Sequence, residues 1–219
     1  MEEAAFGKRH SQIEENNVVK FVIFDVMGVM FTVGDDVEGL LIPYIHSLKP
    51  DIAAKDIKDK YLAASLGKIS SQELWTLLGF DKADIPAIER NYLEKSFTLD
   101  AGFLPCAKAL KCRYRIALLS NDVSEWSKFL REFYGVEPLL DFAFISGDLG
   151  VRKPDPQIYR MVLDALGAKP MECLFIDDYP ERVDAARELG ISSILFNRQG
   201  HDYRGLRVKS FKQLEQLLL

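Results

Sequence analysis

Four groups of polar residues stand at the ends of short apolar runs in this chain, or close behind them. They are Asp25; Ser120, Asn121 and Asp122; Lys153 within "GVRKPDP" (150–156); and Asp177 with Asp178. A carboxylate at the end of a buried strand needs a cation or hydrogen-bond donors near it. Because ligands bind at the carboxyl ends of the strands in an open α/β sheet, the four groups are predicted to converge on one crevice.

Each group also has an ordinary structural interpretation when it is taken alone. Asp25 before Gly28 is compatible with a strand-end turn, Ser120 with a helix N-cap, and Lys153 with a solvated loop. The two acids after "CLFI" are harder to explain in this way, because at least one carboxylate must lie near a buried strand end. Four such groups at successive strand ends therefore favour a functional site.

Strands and helices alternate in the part of the sequence that must position these groups. Apolar runs predict buried parallel strands over residues 18–26, 114–122, 142–146, 172–178 and 192–196. Helical patterns cover residues 125–135, 155–167, 180–190 and 210–219. The second of these helices has Asp155 as a plausible N-cap, Pro156 at its first position and Gly167 at its end. The alternation predicts an α/β fold with a doubly wound, mainly parallel, Rossmann-like sheet.

Residues 37–100 break this alternation, since four stretches there have helical patterns and none predicts a good strand. Ser70 and Glu73 have the spacing of a capping box at the start of one helix. We interpret the block as a small all-helical cap domain inserted into a core domain formed by residues 18–36 and 101–219. The alternative is a helical excursion that only completes the hydrophobic core.

Composition narrows the class of partner. The 219 residues carry 28 Lys and Arg against 33 Asp and Glu, a net charge of −5, which gives no reason to expect nucleic acid or an anionic membrane as a partner. Cys106, Cys112 and Cys173 form no CxxC pair, so three reduced thiols and a cytoplasmic location are predicted. Residues 1–17 are polar and are interpreted as a flexible tail, not a secretory signal, and no apolar run approaches transmembrane length.

The order of these motifs resembles the haloacid dehalogenase superfamily of hydrolases. The matching segments are "VIFDVMGV", "LLSN", "GVRKPDPQIY" and "LFIDDYPERVDAA", and the resemblance runs from about residue 18 to residue 197. The segment "GKISSQELW" in the helical block is similar to the cap of a subgroup that includes sugar-phosphate phosphatases and the amino-terminal phosphatase domain of soluble epoxide hydrolases. The resemblance implies a Mg²⁺-dependent hydrolase of the phosphatase type that acts on a small phosphorylated metabolite.

The resemblance also implies roles in phosphoryl transfer for four of the polar residues. Asp25 would be the nucleophile and would form an aspartyl-phosphate. Ser120 and Asn121 would hold the phosphoryl oxygens, and Lys153 would neutralise them and steady Asp25. Such roles suit phosphoryl transfer, which depends mainly on positioning and on neutralised charge.

A Mg²⁺ site is implied by the same resemblance. Its ligands would be Asp25, the backbone carbonyl of Met27, and Asp177 or Asp178. These are oxygen ligands, which Mg²⁺ prefers, and the ion commonly takes only one or two protein carboxylates.

Two residues depart from the family's pattern. Met27 stands where the family's phosphatases have a second Asp, which protonates the leaving oxygen and later activates water. Loss of general acid–base help of this kind costs on the order of 10²–10⁴-fold in rate. Arg182 stands where this subgroup often has Asn, and its added positive charge is expected to affect metal binding.

Several functions are compatible with these departures. The interpretation that we favour is a phosphatase or phosphotransferase for substrates whose leaving groups need no proton, such as acyl or aryl phosphates. A dehalogenase-like hydrolase that attacks carbon also lacks the second Asp, but it needs no Mg²⁺, and the Asp177–Asp178 pair disfavours it. A weakly active relative that binds Mg²⁺ and a phosphorylated ligand, or a protein partner, is a third alternative, and a deliberate substitution at residue 27 is a fourth.

Substrate specificity is expected to depend on residues of the helical block that face the crevice. Tyr44, His46, Trp75 and Arg90 are candidates from their residue types. Each of them is also compatible with an ordinary packed or surface position on a helix.

Overall fold

A computed structural model describes residues 19–219 of the protein. The flexible tail predicted for residues 1–17 lies outside this range. Within the described part of the chain, no helix is both long enough and apolar enough to cross a membrane.

A six-stranded parallel sheet forms the centre of the fold, with the strand order β3-β2-β1-β4-β5-β6. The strands are β1 (Phe21–Phe24), β2 (Arg115–Ser120), β3 (Phe142–Ile145), β4 (Cys173–Asp177), β5 (Ser192–Phe196) and β6 (Arg207–Val208). The predicted doubly wound α/β sheet is therefore confirmed. The short β6 was not predicted, because two residues are too few to show a strand pattern.

The strand β1 ends earlier than its sequence predicts. The apolar pattern extends over residues 18–26, but the strand covers only Phe21–Phe24. The Asp25 backbone N–H still donates to the Ile176 carbonyl at 2.8 Å. The chain then turns through Gly28, whose φ of +79° is favourable only for glycine.

Between β1 and β2 the described chain forms helices and no further strand of the sheet. A π-helical segment, Val37–Leu41, leads into α1 (Ile42–Leu48), followed by α2 (Ala54–Ala64), α3 (Ser71–Leu77), α4 (Ile85–Lys95) and α5 (Phe103–Leu110). The remaining helices are α6 (Ser124–Phe133), α7 (Ser146–Leu149), α8 (Pro156–Leu166), α9 (Pro180–Glu188) and α10 (Phe211–Leu218).

Local signals in the sequence set several helix ends as predicted. The Asp155 side chain accepts a hydrogen bond from the Gln157 N–H at 2.8 Å and caps α8, which ends at Gly167 with a φ of +60°. Ser70 and Glu73 form the predicted capping box at the start of α3. These ends depend on neighbouring residues only, which is why the sequence predicts them well.

The hydrophobic core has two large clusters, one on each face of the sheet, and a small third cluster of Val183, Leu195 and Tyr203. Along β1, Val22 and Phe24 point to one face, while Phe21 and Ile23 point to the other. Trp75 and Tyr92, from the helices α3 and α4, belong to the same cluster as Phe24. The helical block therefore completes the core on one face of the sheet, and its status as a separate cap domain stays a prediction.

Glu89 on α4 connects this helical block to a helix of the sheet layer. Its carboxylate accepts hydrogen bonds from the Trp75 indole N–H and the Trp126 indole N–H, each at 2.7 Å. The Ser71 hydroxyl lies 3.3 Å from the same carboxylate. Because Trp126 lies on α6, one carboxylate joins three helices.

Candidate active site

Asp25 lies at the carboxyl end of the central strand β1 and is almost completely buried. Its Oδ1 accepts a hydrogen bond from the Lys153 ammonium at 2.6 Å. Burial and the neighbouring Asp177 raise the pKa of Asp25, while Lys153 and Arg182 oppose this increase. Cationic neighbours, and not water, are therefore what favours the anionic form of this carboxylate.

Lys153 is the buried cation to which the predicted groups converge. Its Nζ donates to Asp25, to Asp177 Oδ2 at 2.7 Å and to the Leu119 carbonyl at 2.7 Å, and its side chain is fully buried. The three donors of the ammonium are therefore all used.

The Asn121 carboxamide positions the lysine through its backbone. Asn121 Oδ1 accepts from the Lys153 N–H at 2.8 Å, and Asn121 Nδ2 donates to the Lys153 carbonyl at 2.9 Å. The polar ends of β2 and of the loop before α8 are thus joined directly. Sequence reasoning predicted that these two groups would meet, and the structure brings them together.

Arg182 brings a second cation to the two carboxylates. Its guanidinium Nη1 lies 3.5 Å from Asp25 Oδ2 and 3.6 Å from Asp177 Oδ1. Despite its burial, which alone would lower the pKa of Arg182, the carboxylates of Asp177, Asp25 and Asp178 raise that pKa above its usual value. Arg182 lies in the first turn of α9, and only Tyr179 separates this helix from Asp178.

Asp178 is the acid with unused bonding capacity. Its Oδ2 accepts a hydrogen bond from Gln199 Nε2 at 3.2 Å, whereas its buried Oδ1 has no hydrogen-bond partner between residues 19 and 219. Burial, with the negative charges of Asp25 and Asp177, raises the pKa of Asp178 to about 9. Such a carboxyl group is stabilised as an anion by a cation at its free oxygen.

The three acids fit a divalent cation. One oxygen from each of Asp25, Asp177 and Asp178 can be chosen so that all lie within 4.8 Å of one another. Lys153 and Arg182 can neutralise only two of the three acids, and a hard ion such as Mg²⁺, which binds oxygen ligands of this kind, would stabilise the third as an anion. The unpartnered Asp178 oxygen indicates where the protein leaves a ligand available.

A cavity of about 190 Å³ opens above Asp25. It is lined by Asp25, Met27, Gly34, Asp35, Asp36, Val37, Tyr61, Ser120, Asn121, Arg152, Tyr179 and Arg182. The Ser120 hydroxyl is buried and has no hydrogen-bond partner among the residues that the structure describes. Met27 brings a buried thioether to the wall of this cavity, and a thioether cannot donate or accept a proton in catalysis.

Three further residues of the cavity wall were missed by the sequence reasoning. Asp36 precedes the π-helical segment, Tyr61 lies on α2, and Arg152 precedes Lys153. The Tyr61 hydroxyl lies 3.2 Å from Asp36 Oδ2 and 3.1 Å from the Asn121 carbonyl, and the Arg152 guanidinium lies over the Tyr61 ring. The adjacent acids in "GDDV" were a weak signal for Asp36, but nothing local distinguishes Tyr61 from other helical aromatics.

The four residues that were candidates for substrate contact lie elsewhere. The Tyr44 hydroxyl and the His46 ring bond to backbone carbonyls, and Trp75 bonds to a glutamate. Arg90 forms an exposed ion pair on its own helix. The helical block instead contributes Val37 and Tyr61 to the cavity wall.

Comparisons with known proteins agree with the motifs. The sequence profile of the haloacid dehalogenase-like hydrolases matches residues 19–190. The chain is similar to flavin mononucleotide hydrolase 1 of Arabidopsis thaliana, with 37% identity over 71 residues, or 32% of this chain and 29% of the relative. It is also similar to (S)-2-haloacid dehalogenase 4A of Burkholderia cepacia, with 32% identity over 88 residues, or 40% of this chain and 38% of the relative. The aligned segments span less than half the length of these relatives.

A solved structure shares the fold. It is a haloacid dehalogenase-family enzyme from Bacteroides thetaiotaomicron, in complex with magnesium and inorganic phosphate. The TM-score is 0.66 at 21% identity, and the alignment covers 85% of this chain and 98% of that one. The resemblance inferred from the motifs is thereby confirmed at the level of family and fold.

Proposed function

Because this chain belongs to the haloacid dehalogenase-like hydrolases, we propose that it is a Mg²⁺-dependent phosphatase that forms an aspartyl-phosphate on Asp25. The substrate is a small phosphorylated metabolite. One observation carries the proposal: Asp25 lies beside Lys153 and two further buried acids, and Asp178 keeps a buried oxygen without a partner among residues 19–219. Catalysis of phosphoryl transfer depends mainly on positioned charged groups that stabilise the phosphoryl oxygens.

The residues around the cavity have distinct roles in this proposal. An Asp25 oxygen attacks phosphorus and displaces the leaving oxygen, which splits a difficult hydrolysis into two easier steps. The free Ser120 hydroxyl donates to a phosphoryl oxygen. The Asn121 carboxamide is engaged with the Lys153 backbone, so Asn121 serves mainly to hold the loop that positions Lys153.

The proposed metal ligands are Asp25, Asp178 and the backbone carbonyl of Met27. Asp177 is less suited to direct ligation, because its two oxygens already accept hydrogen bonds from Lys153 and from the Tyr179 N–H. Bound Mg²⁺ supplies neutralisation of the charge on the phosphoryl group. The magnesium and phosphate in the related solved structure support this choice of cofactor.

A dehalogenase that attacks carbon is the second candidate. It is favoured by Met27 and by Arg182, whose guanidinium lies near two carboxylates and partly neutralises them without a metal. The cavity wall, however, contains three acids, two arginines and two tyrosines. A wall of this polarity suits a charged phosphoryl ester better than a carbon–halogen bond.

The test compares the wild-type protein with Asp25→Asn and with Asp164→Asn, an exposed aspartate of α8 that serves as the control. Phosphate release is measured from acetyl phosphate, p-nitrophenyl phosphate and a set of sugar and nucleotide phosphates, with Mg²⁺ and with EDTA. We expect activity in the wild type and in Asp164→Asn, no activity in Asp25→Asn, and no activity in EDTA.

Three outcomes contradict the proposal. Phosphate release by Asp25→Asn removes Asp25 as the nucleophile. Halide release from 2-chloropropionate in EDTA identifies a dehalogenase. Thermal stabilisation by Mg²⁺ and phosphate without any product identifies a binding protein.

A further inference from the structure

Proton transfer is the step that the residues named so far leave without a donor. An alkyl leaving oxygen needs a proton as its bond to phosphorus breaks, and the attacking water must later lose one. In an in-line displacement, the leaving oxygen lies on the side of phosphorus opposite Asp25. The water that cleaves the aspartyl-phosphate attacks from that same side, so one group placed there can serve both steps.

Asp36 is a buried acid in the wall of the cavity that also contains Asp25. Among the described residues that line the cavity, the carboxylates are Asp25, Asp35 and Asp36. Asp35 is exposed, and its Oδ1 is used by the Glu38 N–H at 2.9 Å. Asp36 is only 8% exposed, and its carboxylate is oriented by the Tyr61 hydroxyl.

We propose that Asp36 is the catalytic acid and base of the proposed phosphatase reaction, in place of the aspartate that Met27 replaces. In the first step Asp25 bonds to phosphorus, the bond from phosphorus to the leaving oxygen breaks, and the Asp36 carboxyl gives its proton to that oxygen. In the second step the Asp36 carboxylate takes a proton from water, whose oxygen bonds to phosphorus while the bond to Asp25 breaks. Free phosphate leaves, and Asp36 is again protonated. The inference rests on the proposed function.

The electrostatic surroundings of Asp36 suit this role. Burial, with a smaller contribution from Asp35, raises the pKa of Asp36 to about 6, while its own backbone N–H, the Tyr61 hydroxyl and the Arg152 guanidinium act in the opposite direction. A general acid is most effective when its pKa lies close to the working pH. Both forms of Asp36 are therefore populated near neutral pH.

The buried titratable groups near Asp36 are expected to stay neutral while Asp36 gains and loses its proton. Asp122 follows β2, and burial with the charge of Asp36 raises the pKa of Asp122 well above its usual value. Burial also raises the pKa values of Tyr61 and Tyr92, and the negative charge of Asp36 adds to both increases. Asp122 Oδ2 and the Tyr92 hydroxyl have no hydrogen-bond partner in the part of the chain that the structure describes.

The test uses Asp36→Asn, with the exposed Asp164→Asn of α8 as the control. For an alkyl phosphate that the wild type hydrolyses, we expect kcat of Asp36→Asn to fall by about 10²–10⁴-fold. Asp164→Asn is expected to remain within about threefold of the wild type, because proton transfer by Asp36 is intact. With acetyl phosphate, whose leaving group needs no proton, phosphorylation of Asp25 is expected to persist and its hydrolysis to slow. Intact-mass spectrometry of Asp36→Asn should then show a phosphorylated chain.

The pH dependence distinguishes proton transfer from a structural role. Donation to an alkyl leaving oxygen needs protonated Asp36, so the wild-type rate should fall as pH rises through 6 or somewhat above it. Asp36→Asn should lack this decrease. Tyr61→Phe removes the hydrogen bond that favours the carboxylate, so it should move the midpoint to higher pH.

A stability measurement addresses misfolding. The pKa of Asp36 is higher in the folded protein than in the unfolded chain. The contribution of Asp36 to stability is therefore fully present below the unfolded-chain pKa and is lost as pH rises through the folded-state pKa. Asp36→Asn should therefore resist urea better than the wild type at pH 8, and this advantage should disappear below about pH 4. An inactive variant with greater stability cannot be explained by unfolding.

The outcomes separate this inference from the proposed function. Full alkyl phosphatase activity in Asp36→Asn, or an unmoved pH midpoint in Tyr61→Phe, overturns the role of Asp36 and leaves the phosphatase intact. A wild-type protein that releases no phosphate from any ester overturns both. If Asp36→Asn does not fold, the Tyr61→Phe midpoint decides alone.

Discussion

Gly28 provides the space that the Asp178 carboxylate occupies. A Cβ at residue 28 would lie 1.9 Å from Asp178 Oδ2. Non-bonded atoms cannot approach so closely, so the Asp178 side chain or the backbone would have to move. The residue also has a φ of +79°, in the left-handed region that side chains disfavour. Two independent constraints, one steric and one conformational, therefore act at the residue that follows Met27.

Gly28→Ala should disrupt the acidic cluster, whereas Gly135→Ala should only strain the backbone. Gly135 has a φ of +68°, and no atom of the described residues, apart from its chain neighbours, would lie within 4 Å of an added Cβ. It therefore isolates the conformational cost of about 1–2 kcal/mol. We expect a larger loss in the free energy of unfolding for Gly28→Ala, together with loss of stabilisation by Mg²⁺. Urea denaturation and thermal melts with and without Mg²⁺ measure both effects. Equal results for the two variants would contradict the role of Gly28 in leaving space for the Asp178 carboxylate.

Helices α3, α4 and α6 are joined through one polar group as well as through apolar packing. Glu89 accepts hydrogen bonds from two indole N–H groups, and both tryptophans are buried. A buried indole that loses its acceptor costs about 1–3 kcal/mol. The carboxylate therefore holds the helical block against the layer that contains the site.

Glu89→Ala should lower the free energy of unfolding by about 2 kcal/mol or more, since two donors lose their partner. Glu89→Gln keeps one carbonyl acceptor and should have an intermediate effect. Arg90→Ala, on the same helix, removes only an exposed ion pair with Glu94 and should change stability by less than about 0.5 kcal/mol. The measurement is chemical denaturation, and equal effects of Glu89→Ala and Arg90→Ala would refute the bridging role.

At the scale of the whole molecule, one hydrophobic cluster spans the predicted boundary between core and cap. It contains Leu118 of β2 and Leu74 of α3, both fully buried. All three cysteines are free thiols, as expected, and Cys112 is exposed. The cytoplasmic location and the metabolite partner remain predictions.

A shared cluster predicts that the helical block and the sheet unfold together. Leu74→Ala and Leu118→Ala should each lower the free energy of unfolding by about 2–5 kcal/mol within a single transition. Leu77, on the same helix as Leu74, is 56% exposed, so Leu77→Ala should have little effect. Far-UV and near-UV circular dichroism should give coincident curves. A separate early transition in Leu74→Ala would identify an independently unfolding cap.

The sequence alone determined the features that depend on neighbouring residues and on the order of motifs. The helix caps at Ser70 and Asp155 were predicted because each involves residues two or three positions away. The convergence of Asp25, Lys153 and Asp177 was also predictable, because parallel strands bring their carboxyl ends to one edge. The family followed from the same motifs.

Only the tertiary structure decided which groups complete the site. Tyr61 reaches Asp36 and the Asn121 carbonyl from a helix whose pattern shows only its buried face. The orientation of Arg182 toward Asp25, across 157 positions of sequence, likewise has no local cause. Such contacts depend on how separate layers pack, and the raised pKa of Asp36 depends on burial that no neighbouring residue determines. A candidate proton donor to replace the aspartate missing at residue 27 could therefore be identified only from the tertiary structure.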